Sequence, residues 1–275
     1  MVTLSRAMAM RRIVPLLWFL SVALPAAAQE VLDPLWRLPF DASGVSDIQA
    51  QSFQLYRIPI GFTVREADER VWGVEITLPV SLGGHEVSAA TGVGDLVRRV
   101  GTYTVVPGVE LHVPVGQHWM IKPFGEVGLT GSTAGGGADA LYGVGVRTRA
   151  GYDAGRVGLT LGGALEYKSG GDSRSLVRYF STAAVAADAQ LPVSLRIGGR
   201  AAHAGIFSIV RVFSDVKLRT IGRAPISINR QVEAGLSFAT DPPLKIWKVK
   251  LPWIGLAYRD GGALSGVVVY FAFPF

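Results

Sequence analysis

Between Val71 and Gly83 the chain reads VWGVEITLPVSLG, and its residues alternate strictly in character. Trp72, Val74, Ile76, Leu78, Val80 and Leu82 fall on one side of an extended backbone, and Gly73, Glu75, Thr77, Pro79 and Ser81 on the other. A period of two defines a β-strand with one apolar and one polar face, because successive Cβ atoms point to opposite sides. A helix would bring Glu75 and Leu78 to nearly the same side. The pattern returns in VVPGVELHVPV (105–115), LYGVGVRTRAGY (141–152), RVGLTLGGALEYK (156–168), SIVRVFSDVKLRT (208–220), ISINRQVEAGLSF (226–238) and GVVVYFAFPF (266–275). The chain is thereby confined to all-β architectures that find a cover for each apolar face.

Turn-like segments such as EADER, GSTAGGGAD, DAG, KSGGDSRS and RDGGA divide the pattern into about twelve strands. These are predicted at 53–65, 71–83, 103–115, 118–130, 140–152, 156–168, 178–191, 193–201, 206–220, 226–239, 248–259 and 265–275. The best helical candidate, GDLVRRVGTY, is a weak one in the long 84–102 connection. GVEITLPV (73–80) and GVELHVPV (108–115) echo each other, as neighbouring hairpins of similar geometry would.

Two architectures fit: a soluble sandwich with its apolar faces turned inward, or a membrane barrel with them turned out to lipid. Three features favour the barrel. The polar faces are rich in glycine and charge, as in Gly162, Glu166 and Lys168. Aromatics such as Trp72, Trp119, Tyr142, Tyr152 and Tyr258 sit at strand ends, where interfacial girdles belong. Many strands exceed the globular average of about five or six residues. In hydrocarbon an unpaired backbone group costs several kcal/mol, so the expected fold is a closed antiparallel transmembrane β-barrel in which the first and last strands pair.

The N-terminus adds a pattern of its own. Arg6, Arg11 and Arg12 precede an apolar stretch, IVPLLWFLSVAL, and then Pro-Ala-Ala-Ala. That is the layout of a secretory signal over 1–28, with cleavage expected near Ala28. The segment holds no acid, so its removal takes the net charge from +6 to +3. A charge that small argues against nucleic acid as a partner, and no basic block with interleaved aromatics argues for it. The chain has no cysteine, so disulfides contribute nothing to its stability. Residues 29–52 show no strand pattern and are expected to plug the lumen or lie in the periplasm, with the barrel over 53–275.

The signal, the alternating strands and the ending VVVYFAFPF resemble the outer-membrane β-barrel proteins of Gram-negative bacteria. In those proteins the last strand ends in an aromatic preceded by apolar residues at every second position, as Val267, Val269, Phe271, Phe273 and Phe275 do here. The resemblance implies an outer-membrane location, lipid as surroundings, and a terminal strand read by the barrel-assembly machinery. The strand number and IKPFGEVGL (121–129) are similar to the twelve-stranded barrels of autotransporters, and the subfamily implied is a solitary autotransporter-like barrel, expected to be a monomer. Such a last strand runs from the outside to the periplasm. Counting back through the twelve strands then sets 84–102, 131–139 and 169–177 on the periplasmic side, where turns should be short. This conflict points to one strand merged or split between 193 and 259.

Little in the sequence speaks for catalysis. No G-x-S-x-G occurs, and neither a cofactor motif nor a converging set of metal ligands is visible along the chain. His112 and Glu110 share the polar face of one strand, which suits either a general base with its carboxylate or an interior hydrogen bond; the second reading is preferred. The expected lumen-facing charges are Arg147, Arg149, Arg196, Arg200, Lys217, Arg219, Glu75, Glu110 and Glu166. The function expected is a non-enzymatic barrel, a narrow channel or a solitary autotransporter-like barrel, with a slightly basic lumen. The alternatives are an outer-membrane lipid hydrolase or deacylase, and a soluble exported β-sandwich that binds a partner.

Overall fold

The computed structural model describes residues 43–48, 51–68, 71–85, 102–132, 138–170, 179–214, 217–218, 226–246, 249–261 and 264–275. The signal segment and its cleavage site lie outside them. The strands in chain order are β1 (Ser43–Ile48), β2 (Gln51–Ile58), β3 (Gly61–Arg65), β4 (Gly73–Thr77), β5 (Val80–His85), β6 (Thr102–Val105), β7 (Gly108–Val115), β8 (Trp119–Ser132) and β9 (Asp139–Ala154). They continue with β10 (Val157–Gly170), β11 (Tyr179–Ile197), β12 (Arg200–Phe213), β13 (Lys217–Leu218), β14 (Ile226–Ser227), β15 (Arg230–Ile246), β16 (Val249–Asp260) and β17 (Leu264–Tyr270). Fifteen of them form one sheet, and β13 and β14 form a separate two-stranded ribbon. The pairings along the sheet are antiparallel.

Three prolines explain why the early strands come in short pieces. Pro59, Pro79 and Pro107 stand between β2 and β3, β4 and β5, and β6 and β7. A proline has no N–H to give to a ladder. The register nevertheless runs through each break: Ile58 faces Val80 and Gly61 faces Thr77 with no residue gained or lost. The same holds for Val80 with Val105 against Thr77 with Gly108, and for Val105 with Leu129 against Gly108 with Glu126. Bonds from Leu78 N–H to Ile60 O, Val106 N–H to Pro79 O and Val127 N–H to Pro107 O bridge the breaks.

The main sheet has partners on both sides of β8 and of β1. β8 pairs with β6 and β7 along one edge and with β9 along the other, and β1 pairs with both β2 and β17. Its two faces have the opposite polarity to a soluble core. Leu165, Val185, Ile206, Leu236 and Leu256 are exposed on the outside, and Ile206, Leu236 and Leu256 lie side by side on consecutive strands. Glu166, Asp188, Arg211, Glu233 and Arg259 are buried on the inside. A sandwich would bury the apolar set, so the sandwich alternative fails on this observation.

Four sequence expectations need correction. The predicted strands 178–191 and 193–201 are one strand, β11; Pro192 does not end it, and its register shifts only between Val193 and Arg196. The turn comes later, at Gly198 and Gly199, whose φ values of +55° and +80° suit a two-residue hairpin that needs φ > 0 at both places. The predicted strand 206–220 leaves the main sheet at Phe213, and Lys217 pairs with Ser227 in the separate ribbon. Residues 43–48, taken with the plug or periplasmic segment, are a strand paired to β17. Finally, β17 stops at Tyr270, five residues before the terminus.

One split strand and one missed strand move the connections. Segments 49–50, 86–101, 133–138, 171–178, 214–229 and 261–263 now join strands at one end of the sheet. Segments 66–72, 116–118, 155–156, 198–199 and 247–248 join them at the other, the end at which β17 finishes. The connections that raised the conflict, 86–101, 133–138 and 171–178, therefore fall at the end away from the C-terminus, and the conflict over sidedness disappears.

Candidate functional site

Among the described residues, the inward-facing side chains include three polar groups and one aromatic plug. The first group grows from a direct cross-strand pair, Glu75 on β4 opposite Glu110 on β7. His112, two residues along β7, points its Nε2 at both: 3.0 Å from Glu110 Oε1 and 3.4 Å from Glu75 Oε2. Lys122 Nζ lies 3.3 Å from Glu110 Oε1, and Arg147 donates to Glu110 Oε2 at 2.9 Å. Arg147 also donates through Nε to Glu166 at 3.1 Å, and Lys168 bridges Glu166 and Glu126 at 3.2 and 3.4 Å. The Arg147 guanidinium lies 4.0 Å over the Phe124 ring. Glycine makes room for these chains: a Cβ at Gly145 would sit 2.7 Å from the Phe124 ring.

The second group is drier. Arg211 on β12 and Arg259 on β16 both donate to Glu233 Oε1 on β15, at 2.5 and 2.9 Å. Tyr270 on β17 donates to Glu233 Oε2 and accepts from Arg211 Nη2 at 3.2 Å. The third group centres on Asp188 of β11, which accepts from Ser237 Oγ at 2.6 Å and from Trp253 Nε1 at 2.9 Å.

Trp253 leads into the plug. Its ring packs edge-on against Phe207 and Phe273, with centroids 5.0 and 5.7 Å apart, and Phe273 packs edge-on against Phe275. Phe273 and Phe275, expected on the lipid face, are instead buried, 7% and 4% exposed. The chain leaves the wall after Tyr270 and folds inward, because Gly162 leaves a hollow there: a Cβ on it would lie 2.6 Å from Phe275 and 2.8 Å from Phe273. Val267 and Phe271 are exposed as expected, and Val269 is half-buried on the same side.

Of the lumen residues expected from sequence, Glu75, Glu110, Arg147 and Glu166 converge in one network. Arg149 faces the plug, its guanidinium 5.6 Å from the Phe273 ring centroid. Arg196 and Arg200 flank the Gly198–Gly199 turn, away from the network. Lys217 lies in the ribbon, and Arg219 is outside the described residues. Sequence reasoning paired Glu110 with His112 but missed Glu75 beside them; the ligand atoms of the three lie within 4.8 Å of one another. It also missed Asp188 and Trp253, and set Arg259 at the edge of the 248–259 strand and the RDGGA turn, although it shares the strand parity of Trp253 and Ala257.

No family model matches the chain, and no curated protein matches it. Among solved structures it is similar to the β domain of the Bordetella autotransporter BrkA, at 10% identity and a TM-score of 0.55, over 84% of this chain and 96% of that one. The fold is a β-barrel. A second similar structure is LpxR from Salmonella typhimurium, at 7% identity and a TM-score of 0.43, over 84% of this chain and 90% of that one.

Proposed function

We propose that the protein is an integral outer-membrane barrel of twelve staves whose resting interior is occluded, a solitary autotransporter-like barrel rather than an open pore or an enzyme. The single observation that carries this is the inverted polarity of the sheet, with leucine and valine outside and ion pairs inside. The stave number rests on joining β2 with β3, β4 with β5 and β6 with β7 across the prolines; the pairing of β1 with β17 supports closure. The longest connections lie at the end away from the C-terminus, which fits an outer-membrane barrel with the C-terminal end in the periplasm. The interior bases are largely matched by acids, so the slightly basic lumen expected from the sequence loses its support, and the Phe273–Phe275 plug supports occlusion. For a hydrolase, His112 has only carboxylates as hydrogen-bonding or ionic partners among the described residues.

The test is electrophoresis of the detergent-extracted protein with and without boiling. A folded barrel migrates differently from its boiled form and needs detergent to stay in solution. Identical migration together with detergent-free solubility would overturn the reading. Planar-bilayer recordings test the occlusion separately: the intact chain is expected to be silent, and a steady conductance would refute the occluded interior while leaving the barrel intact.

A further inference from the structure

Glu75 and Glu110 stand directly opposite each other on adjacent strands. Like charges in that relation repel and destabilise a sheet unless a cation lies between them. The group that contacts both is a histidine nitrogen, and the fixed charges of Lys122 and Arg147 contact Glu110. His112 Nε2 is 3.0 Å from one carboxylate oxygen and 3.4 Å from the other.

We propose that Glu75, Glu110 and His112 form an interior binding site for a divalent transition-metal ion of the Zn²⁺ type. Zinc bonds to nitrogen and carboxylate oxygen are about 2.0–2.2 Å, so ligand atoms around a tetrahedral ion stand about 3.3–3.5 Å apart. The observed nitrogen–oxygen separations are close to that before any ion has drawn the set together. Mixed imidazole and carboxylate donors suit zinc and its neighbours rather than calcium or magnesium, which prefer oxygen alone.

The surroundings fit the same use. Arg147 holds the other oxygen of Glu110, Oε2, at 2.9 Å, fixing the carboxylate with Oε1 towards His112. Such outer partners orient metal ligands. At Gly61, opposite Thr77 next to Glu75, a Cβ would collide with Glu75 Oε1, so glycine is what admits that carboxylate. With three protein ligands, the fourth position is left to water. Lys122 competes: its ammonium lies 3.3 Å from the same Glu110 Oε1. Its long side chain must swing away on binding, which lowers affinity without blocking the site. The ion would tie β4 to β7 beside the proline breaks.

The experiment uses the full chain extracted in detergent, with Zn²⁺ alone as the probe in equilibrium dialysis and Co²⁺ as a spectroscopic substitute. The expected result is one zinc per chain and a Co²⁺ visible spectrum of four-coordinate type. His112→Ala and Glu75→Gln should each weaken binding at least tenfold, and Lys122→Gln should strengthen it severalfold. Every variant is first checked for the unboiled gel position of the folded barrel, with His112→Gln replacing His112→Ala if the latter does not fold. No stoichiometric zinc, or equal binding by the folded His112 and Glu75 variants, would overturn the site and leave the space to a histidine hydrogen-bonded between two carboxylates. Neither outcome bears on the barrel itself, which the gel tests.

Discussion

Replacing Glu233 with alanine tests whether the barrel interior is dry where the structure packs it most tightly. Glu233 is 0% exposed and accepts from Arg211, Arg259 and Tyr270, with the two arginines 1% and 2% exposed. Removing the carboxylate takes the shared counter-charge from two buried guanidinium groups. Breaking a buried ion pair from one side costs about 3–5 kcal/mol, chiefly because the remaining charge is left in a poor solvent. Glu233→Gln removes the same charge but keeps an acceptor for Tyr270 or one arginine, so it should recover about 1 kcal/mol of that loss, the worth of one hydrogen bond. The assay is reversible urea unfolding of the protein in lipid vesicles, read as a midpoint shift at unchanged slope. A loss below about 1 kcal/mol for Glu233→Ala would refute the reasoning. It would mean that water reaches the guanidinium groups and that the pair behaves as a surface pair. Equal losses for alanine and glutamine would show that the charge, not the hydrogen bonding, is what matters.

Three other outcomes follow from the same geometry. Leu236, 65% exposed between Ile206 and Leu256, should cost about 2–4 kcal/mol when changed to arginine if it lies near the bilayer midplane, read by the same unfolding assay; a change without cost would contradict a lipid-facing surface. Gly162→Leu should expel Phe273 and Phe275 from their hollow, shifting Trp253 emission to the red and exposing the C-terminus to carboxypeptidase; an unaltered tail in the folded variant would contradict the plug. Aspartate at Phe271 should impair membrane insertion through the outer face, whereas aspartate at Phe273 should insert but be less stable, because only Phe271 faces outward; identical insertion defects at both positions would point to recognition of the unfolded terminal sequence instead.

Much of the fold was legible because alternation is a local property. Which residues of 142–150 or 156–168 face which side follows from the pleat alone, and the structure keeps both assignments: Val144 and Leu165 outside, Arg147 and Glu166 inside. Alternation is silent about where strands stop. Pro192 looks like a boundary, yet it only removes one ladder N–H from a strand that runs on to the Gly198–Gly199 turn. Ser43–Ile48 has no strong pattern, and it is a strand because the edge of β17 needs a partner. The site had the same limit: Glu110 and His112 share a strand and could be read together, but Glu75 joins them only through the register of β4 on β7.

The ending of the chain divides the two kinds of knowledge most clearly. By itself, GVVVYFAFPF determined that a strand with an apolar face closes the sequence, because residues two apart must share a side. That Phe273 and Phe275 leave this face was decided by Gly162 on a strand more than a hundred residues earlier. Its missing side chain leaves a hollow beside Trp253, and aromatic rings fill it. No local pattern carries that information, because the hollow exists only after β10 and β16 have been folded into one barrel wall.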